Sequence, residues 1–188
     1  MPKEYITING CQYKLLFTRG QILMKVRQIA EQIADDYKTA GIKESPLLMS
    51  VLTGGMYLTV DLSRALSDIG FETSVDIVGL KRFTQDEKGG IVQMNAFPRA
   101  KLSGRDIIVV EDIIDQGLTM NFFHRYLLNL DEPPRSIEYC TLLLKTNHEP
   151  LDFSVKYLGW EVGSDWVIGN GMDGEQHYRG LKDIYVKI

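Results

Sequence analysis

Apolar residues recur along the chain with two different periods. Ile22, Val26, Ile29, Ala30, Ile33 and Tyr37 fall at helical spacing, and Gly41 supplies a stop. The run Pro46-Leu-Leu-Met-Ser-Val-Leu52 has the continuous apolar character of a strand buried on both faces. It leads through Thr53-Gly54-Gly55 into a second helix with Leu58, Leu62, Ala65, Leu66 and Ile69 inward, stopped by Gly70. Residues 73–80 predict a second strand, the β-branched run that opens residues 106–120 a third and residues 136–145 a fourth. The third runs through a turn into a helix with Met120, Phe123, Leu127 and Leu128 on its apolar side. Shorter strand-like runs lie near residues 155–160, 166–168 and 184–188, whereas residues 1–18 read only as a short extended arm.

This alternation of strand and helix implies one α/β domain over residues 1–188 with a central, mainly parallel sheet flanked by helices. A small C-terminal excursion occupies about residues 146–188. From Lys81 to Gly104 no period holds, and so long an irregular stretch in a compact domain implies a lid or binding loop, with room for a hairpin. Ligands of such sheets sit at the carboxyl ends of the strands. The functional candidates therefore cluster: residues 53–55, Arg82 with the long loop, residues 111–119, Lys145, and residues 166–173.

Composition narrows the classes. With 188 residues, 44% hydrophobic and 24% charged, the chain has the make-up of an ordinary globular domain. A formal net charge of -4 argues against general nucleic-acid binding. No apolar run approaches membrane-spanning length and the N-terminus lacks a signal pattern, so the expected location is cytoplasmic. Cys11 and Cys140 are too few and too far apart for a disulfide framework or zinc site. No nucleophile elbow, Walker A sequence or GxGxxG is present.

The densest chemistry lies in residues 106–120. Glu111, Asp112 and Asp115 fall where a strand ends, and Gly117-Leu118-Thr119 opens a helix. Free backbone N–H groups at such a turn hold anions. Carboxylates beside a phosphate cradle make sense when a sugar or a divalent cation lies between, and a phosphorylated sugar satisfies both halves. The bland alternative is a solvated acidic turn. Taken singly, Lys145, Trp166 and Asp173 also have bland readings: a solvated charge, a packing aromatic and a turn residue.

Together, Val109-Val-Glu-Asp-Ile-Ile-Asp-Gln-Gly-Leu-Thr119 resembles the phosphoribosyl diphosphate (PRPP) signature of the type I phosphoribosyltransferases. The likeness extends through Val51-Leu-Thr-Gly-Gly55, Val75-Asp-Ile-Val-Gly-Leu-Lys81, Leu142-Leu-Leu-Lys145, Tyr157-Leu-Gly-Trp-Glu161, Trp166-Val-Ile-Gly169, Asp173 and Tyr178-Arg179. This order of lysine, aromatic and aspartate is similar to the purine branch of that family. The resemblance implies a type I phosphoribosyltransferase-like fold with a small hood from the chain ends and a lid over about residues 82–104. It implies PRPP and a 6-oxopurine base as substrates, IMP or GMP and pyrophosphate as products, Mg²⁺ as cofactor, and a homodimer or homotetramer.

By the same resemblance, Asp115 would be the general acid or base near N7 of the purine. Glu111 and Asp112 would address the ribose hydroxyls, directly or through metal, and Asp173 would belong to the purine site and bind the second metal with pyrophosphate. The backbone of Asp115, Gln116, Gly117, Leu118 and Thr119, with the Thr119 hydroxyl, would hold the 5′-phosphate. Thr53 and Gly54 would offer N–H groups to the diphosphate, in a loop the family often holds with a non-proline cis peptide, and Arg179 would contact pyrophosphate. Lys145 would donate to purine O6, Trp166 would stack on the base and the Val167 backbone would read its edge.

Three positions depart from the family pattern. Thr53 stands where many relatives have lysine, Gln116 replaces a Thr or Ser, and Arg82-Phe83 stands where the lid usually carries Ser-Tyr. A non-catalytic PRPP- or nucleotide-sensing regulator on the same fold is the rival reading.

Overall fold

The computed structural model describes residues 2–84 and 90–188. Strands β1 (Tyr5–Ile8) and β2 (Cys11–Phe17) precede helix α1 (Arg19–Thr39). The Thr18 hydroxyl accepts from the Gln21 N–H while the Gln21 side chain accepts from the Thr18 N–H, a reciprocal cap that fixes where α1 starts. Then follow β3 (Leu47–Leu52), α2 (Gly55–Asp68), β4 (Ser74–Thr84), β5 (Gly90–Ala96), β6 (Asp106–Ile114), α3 (Leu118–Leu128) and β7 (Ser136–Lys145). The chain closes with β8 (Tyr157–Val162), β9 (Val167–Ile168) and β10 (Ile184–Lys187).

The main sheet has the order β5-β4-β3-β6-β7-β8, parallel throughout except for β5. Side chains of β6 alternate between two cores, as the pleat requires. Ile108 and Val110 pack with α1 and α2 on one face, and Ile107 and Val109 pack with α3 on the other. A second sheet, β1-β2-β10-β9, joins residues from both ends of the sequence and forms the expected hood.

Three expectations need correction, and the hairpin for which the stretch after Lys81 left room is present. Residues 1–18 are a hairpin and not a plain arm; Asn9 and Gly10, at φ 48° and 79°, make the two-residue turn between Ile8 and Cys11. Much of the stretch expected to be irregular is likewise a hairpin, with β4 running on to Thr84 and β5 paired antiparallel to it; residues 85–89 of the expected lid lie outside the described residues. Of the C-terminal excursion, β8 belongs to the main sheet as its edge strand. Leu128 is 56% exposed, because Met120, Phe123 and Leu127 already occupy the inward stripe and the next residue lies about 100° further round.

The start of β6 is anchored by charge. Asp106, 4% exposed, receives Arg135 Nε at 2.9 Å, Arg135 Nη2 at 2.7 Å and the Ser136 hydroxyl at 2.7 Å. The Arg135 hydrogen bonds hold the Asp106 carboxyl below its ordinary value, against the opposing effect of burial. Because the folded value lies below the unfolded one, this stabilisation is complete above the unfolded carboxylate range and is lost as pH falls through the depressed folded value. Asp106→Asn should lower stability at pH 7 by about 1–3 kcal/mol. It should also flatten the acid limb of a urea-unfolding series run from pH 7 to pH 3.

Candidate active site

The site forms at the carboxyl ends of β3, β6 and β7, on both sides of the point where strand order reverses. Strand β3 ends at a non-proline cis peptide, Leu52–Thr53, and Gly54 and Gly55 then start α2 against β6. Both glycines are there for space. A Cβ on Gly54 would lie 2.0 Å from Asp112 Oδ2, and one on Gly55 would lie 2.5 Å from the Val110 carbonyl oxygen. On the opposite side Gly171, at φ 108°, brings its backbone against Gly54; a Cβ there would stand 2.5 Å from the Gly54 carbonyl.

Glu111 and Asp112 occupy the centre of this junction. Glu111 Oε1 accepts from the Asp112 N–H at 3.0 Å, and Asp112 Oδ1 accepts from the Ile113 N–H at 2.9 Å. Burial, reinforced by the neighbouring Asp112 charge, pushes Glu111 well above its ordinary value. Burial also raises Asp112, opposed chiefly by its hydrogen bond with Glu111. Two close carboxylates under such strain are short of positive charge. Among the described residues no three His, Cys, Asp or Glu side chains converge as a metal cage, and the Asp173 carboxylate is engaged by Arg179 at 2.7 Å. Magnesium suits this arrangement, since it commonly takes one or two carboxylates and completes its shell with water and substrate phosphates.

Beyond the carboxylates lie two cavities. The first, about 150 Å³, is lined by Arg82, Glu111, Asp115 and the turn Gln116-Gly117-Leu118-Thr119. Gly117, at φ 81°, is the N-cap of α3 and provides no side-chain cap, so the helix presents its first N–H groups to this space. The second, about 140 Å³, is lined by Asp112, Asp115, Lys145, Trp166, Val167, Asp173 and Arg179 among others. Asp115 and Ile113 border both.

Lys145 is buried at the end of β7, with its Nζ 3.1 Å from Asp115 Oδ1 and 3.3 Å from the Ser164 carbonyl. Trp166 is 52% exposed at the rim of the second cavity, and Val167 is buried beneath it. Arg179 donates to the Gly171 carbonyl at 2.7 Å as well as to Asp173. Thus Glu111, Gln116, Gly117, Leu118 and Thr119 line the first cavity, Asp112, Lys145, Trp166, Val167, Asp173 and Arg179 the second, and Asp115 both, whereas Thr53 and Gly54 line neither and Gly54 meets the site through Asp112.

Three residues that support the site had not been singled out in the sequence. Arg19 makes two 2.6 Å contacts to Asp61 of α2 and donates to Asn170 Oδ1 at 2.9 Å. This clip fixes Asn170, itself at φ 48° between Gly169 and Gly171, and so seats the loop that touches Gly54 and Asp112. The available sequence signal was Asp61, a charge placed between Leu58 and Leu62 on the buried side of a helix.

Comparison with known proteins places this geometry. The phosphoribosyl transferase domain family matches residues 12–167, and the chain belongs to it. Within that family its relatives are the hypoxanthine-guanine phosphoribosyltransferases. The enzyme of Mycobacterium tuberculosis strain H37Rv is 31% identical over 90% of this chain and 83% of its own. That of Crithidia fasciculata is 33% identical over 92% of this chain and 84% of its own. Among solved structures, a Trypanosoma cruzi hypoxanthine phosphoribosyl transferase superposes with a TM-score of 0.86 at 32% identity, covering 100% of this chain and 95% of that one. A Bacillus anthracis hypoxanthine-guanine phosphoribosyltransferase gives 0.80 at 27% identity, covering 93% and 96%.

Proposed function

We propose that this protein is a purine-salvage enzyme that transfers the 5-phosphoribosyl group of PRPP to N9 of hypoxanthine or guanine, releasing pyrophosphate and IMP or GMP. The observation that carries the reading is the Lys145–Asp115 pair, 3.1 Å apart, where the cavity at the α3 turn meets the cavity lined by Trp166 and Val167. O6 and N7 are neighbours on one edge of a 6-oxopurine. Lys145 donates to O6 while the Asp115 carboxylate faces N7, so the two side chains read that edge as a unit. An adenine would turn an amino group toward the ammonium and leave it unpaired.

In this mechanism the base stacks on Trp166 and its edge meets the Val167 backbone. The turn from Asp115 to Thr119 holds the 5′-phosphate, and Thr53 and Gly54 offer N–H groups to the diphosphate. N9 attacks C1 as the C1–O bond to pyrophosphate breaks, through a transition state with oxocarbenium character. Asp115 manages the proton at N7 from within hydrogen-bond reach. Arg179 serves the leaving pyrophosphate as a charge-assisted donor. Glu111 and Asp112, with Asp173 at a second position, would hold Mg²⁺, which when bound supplies neutralising charge to the diphosphate. Closure of the β4–β5 hairpin over the site would keep water from the reacting centre.

We place the enzyme in the cytoplasm as a homodimer or homotetramer. Cys11 and Cys140 are unpaired, and among the described residues no helix is long and apolar enough to cross a membrane. In the T. cruzi relative the C-terminal region has a role in oligomeric state and activity. The relatives compared are enzymes, and the non-catalytic reading draws no support from them. Incubation with PRPP, Mg²⁺ and each of hypoxanthine, guanine, xanthine and adenine tests the assignment. Monophosphate should form with hypoxanthine or guanine, fail with adenine and cease on chelation of the metal. No product with any base overturns the reading.

A further inference from the structure

The two least family-like positions around the first cavity touch each other. Arg82 Nη1 donates to Gln116 Oε1 at 2.7 Å, from β4 across to the turn before α3. Arg82 and Gln116 both line the cavity with Gly117, Leu118 and Thr119, and Arg82 is the sole basic residue among those lining it. Its Nε is buried and has no acceptor among the described residues. A guanidinium N–H withdrawn from water without an acceptor is costly, and an anion in the adjoining space would supply one.

We infer that Arg82, oriented by Gln116, is a phosphate-binding residue of this enzyme that closes the open side of the 5′-phosphate cradle. The inference rests on the phosphoribosyltransferase reading and adds to it a cation that the signature turn itself lacks. That turn offers backbone N–H groups and the Thr119 hydroxyl, but Glu111 and Asp115 stand in the same cavity and oppose a dianion. A guanidinium answers that charge and presents planar donors suited to phosphate oxygens. Gln116, with Oε1 committed to Arg82, has its amide N–H groups left for the ligand. The two departures act as one unit: the longer amide replaces a small hydroxyl because it also has to position an arginine. Since Arg82 lies on the β4–β5 hairpin, phosphate binding and the position of that hairpin are linked.

Calorimetric titration of IMP and steady-state KM values for PRPP and hypoxanthine test the inference in the wild type, Arg82→Gln, Arg82→Lys and Gln116→Ala. Arg82→Gln should weaken IMP and raise the KM for PRPP by about 10- to 100-fold, the range for loss of a charged hydrogen bond. Its kcat and its KM for hypoxanthine should stay within a few-fold of wild type. Arg82→Lys should recover part of the loss. Gln116→Ala should move the same constants less, and the double variant should be little worse than Arg82→Gln, because the pair acts as a unit. Unchanged IMP affinity, or equal losses for PRPP and hypoxanthine, overturns the role of Arg82. A wild type that binds no IMP overturns the enzyme reading itself, before any variant is compared.

Discussion

Asp115→Asn should reduce kcat by about 10²–10⁴-fold, the usual contribution of a positioned acid or base, while PRPP affinity stays within a few-fold. The substitution keeps the size of the side chain and removes its proton-accepting charge. Asp115 follows directly on β6 in a half-exposed position, so the amide can be solvated without a folding penalty. The proposed phosphate cradle offers mainly backbone N–H groups, which the substitution leaves in place. Lys145 loses its carboxylate partner but keeps the Ser164 carbonyl at 3.3 Å, so the base pocket should retain its shape. Pre-steady-state product formation, set beside calorimetric PRPP binding, separates chemistry from binding. Equal losses in both would move Asp115 from proton transfer to ribose binding.

Gly54→Ala should be nearly as damaging for a different reason. At φ -66° the backbone accommodates any residue, so the obstacle is purely steric. The new methyl would stand 2.0 Å from Asp112 Oδ2 and 2.4 Å from its Cγ. Asp112 is 5% exposed and is backed by Gly171, which leaves it little room to withdraw. Overpacking of this kind costs about 1–3 kcal/mol, and displacement by about 1 Å of the carboxylate proposed to address the ribose can cost on the order of 10²-fold in rate. A fall in melting temperature together with a fall in kcat/KM of that size is the expected result. Gly20→Ala is the matched control. Inside α1, with Thr18 Oγ1 at 3.9 Å, it should gain roughly 0.5–1 kcal/mol and leave activity unchanged. An active Gly54→Ala enzyme would show that Asp112 is free to move.

The elements legible in the sequence were those buried on a clear period. Helices α1 and α2 announce themselves because each supplies a buried stripe to one core, and strands β3, β6 and β7 because each feeds the cores on both faces of the sheet. The hairpins did not. Strand β5 alternates between exposed and half-buried residues, with Ile91 68% exposed, and so gives no sustained apolar signal. The β1–β2 turn carried its signal in Asn9-Gly10, which a search for apolar periods passes over. In the site, the acids and the glycine turn could be read because they are consecutive. Their partners come from other strands: Lys145 from β7, Arg82 from β4, and the Arg19–Asp61–Asn170 clip from three segments far apart in the chain. No local pattern encodes such pairings; only the register of the sheet brings them within reach.

The hood bears on how the enzyme comes to life during synthesis. Val167, which lines the proposed base pocket, lies on β9; β9 pairs with β10, and β10 is seated on β2. Residues 13–17 therefore wait for residues 184–187 before that lining has its support. The proposed 5′-phosphate cradle is built from β6 and α3 and is closed by residues 149–151, all made before β9 and β10. Since folding during translation proceeds from the N-terminal side, the proposed roles imply a growing chain that would acquire the means to hold a ribose phosphate before a purine. On those roles the base pocket is complete only once β10 has docked on β2.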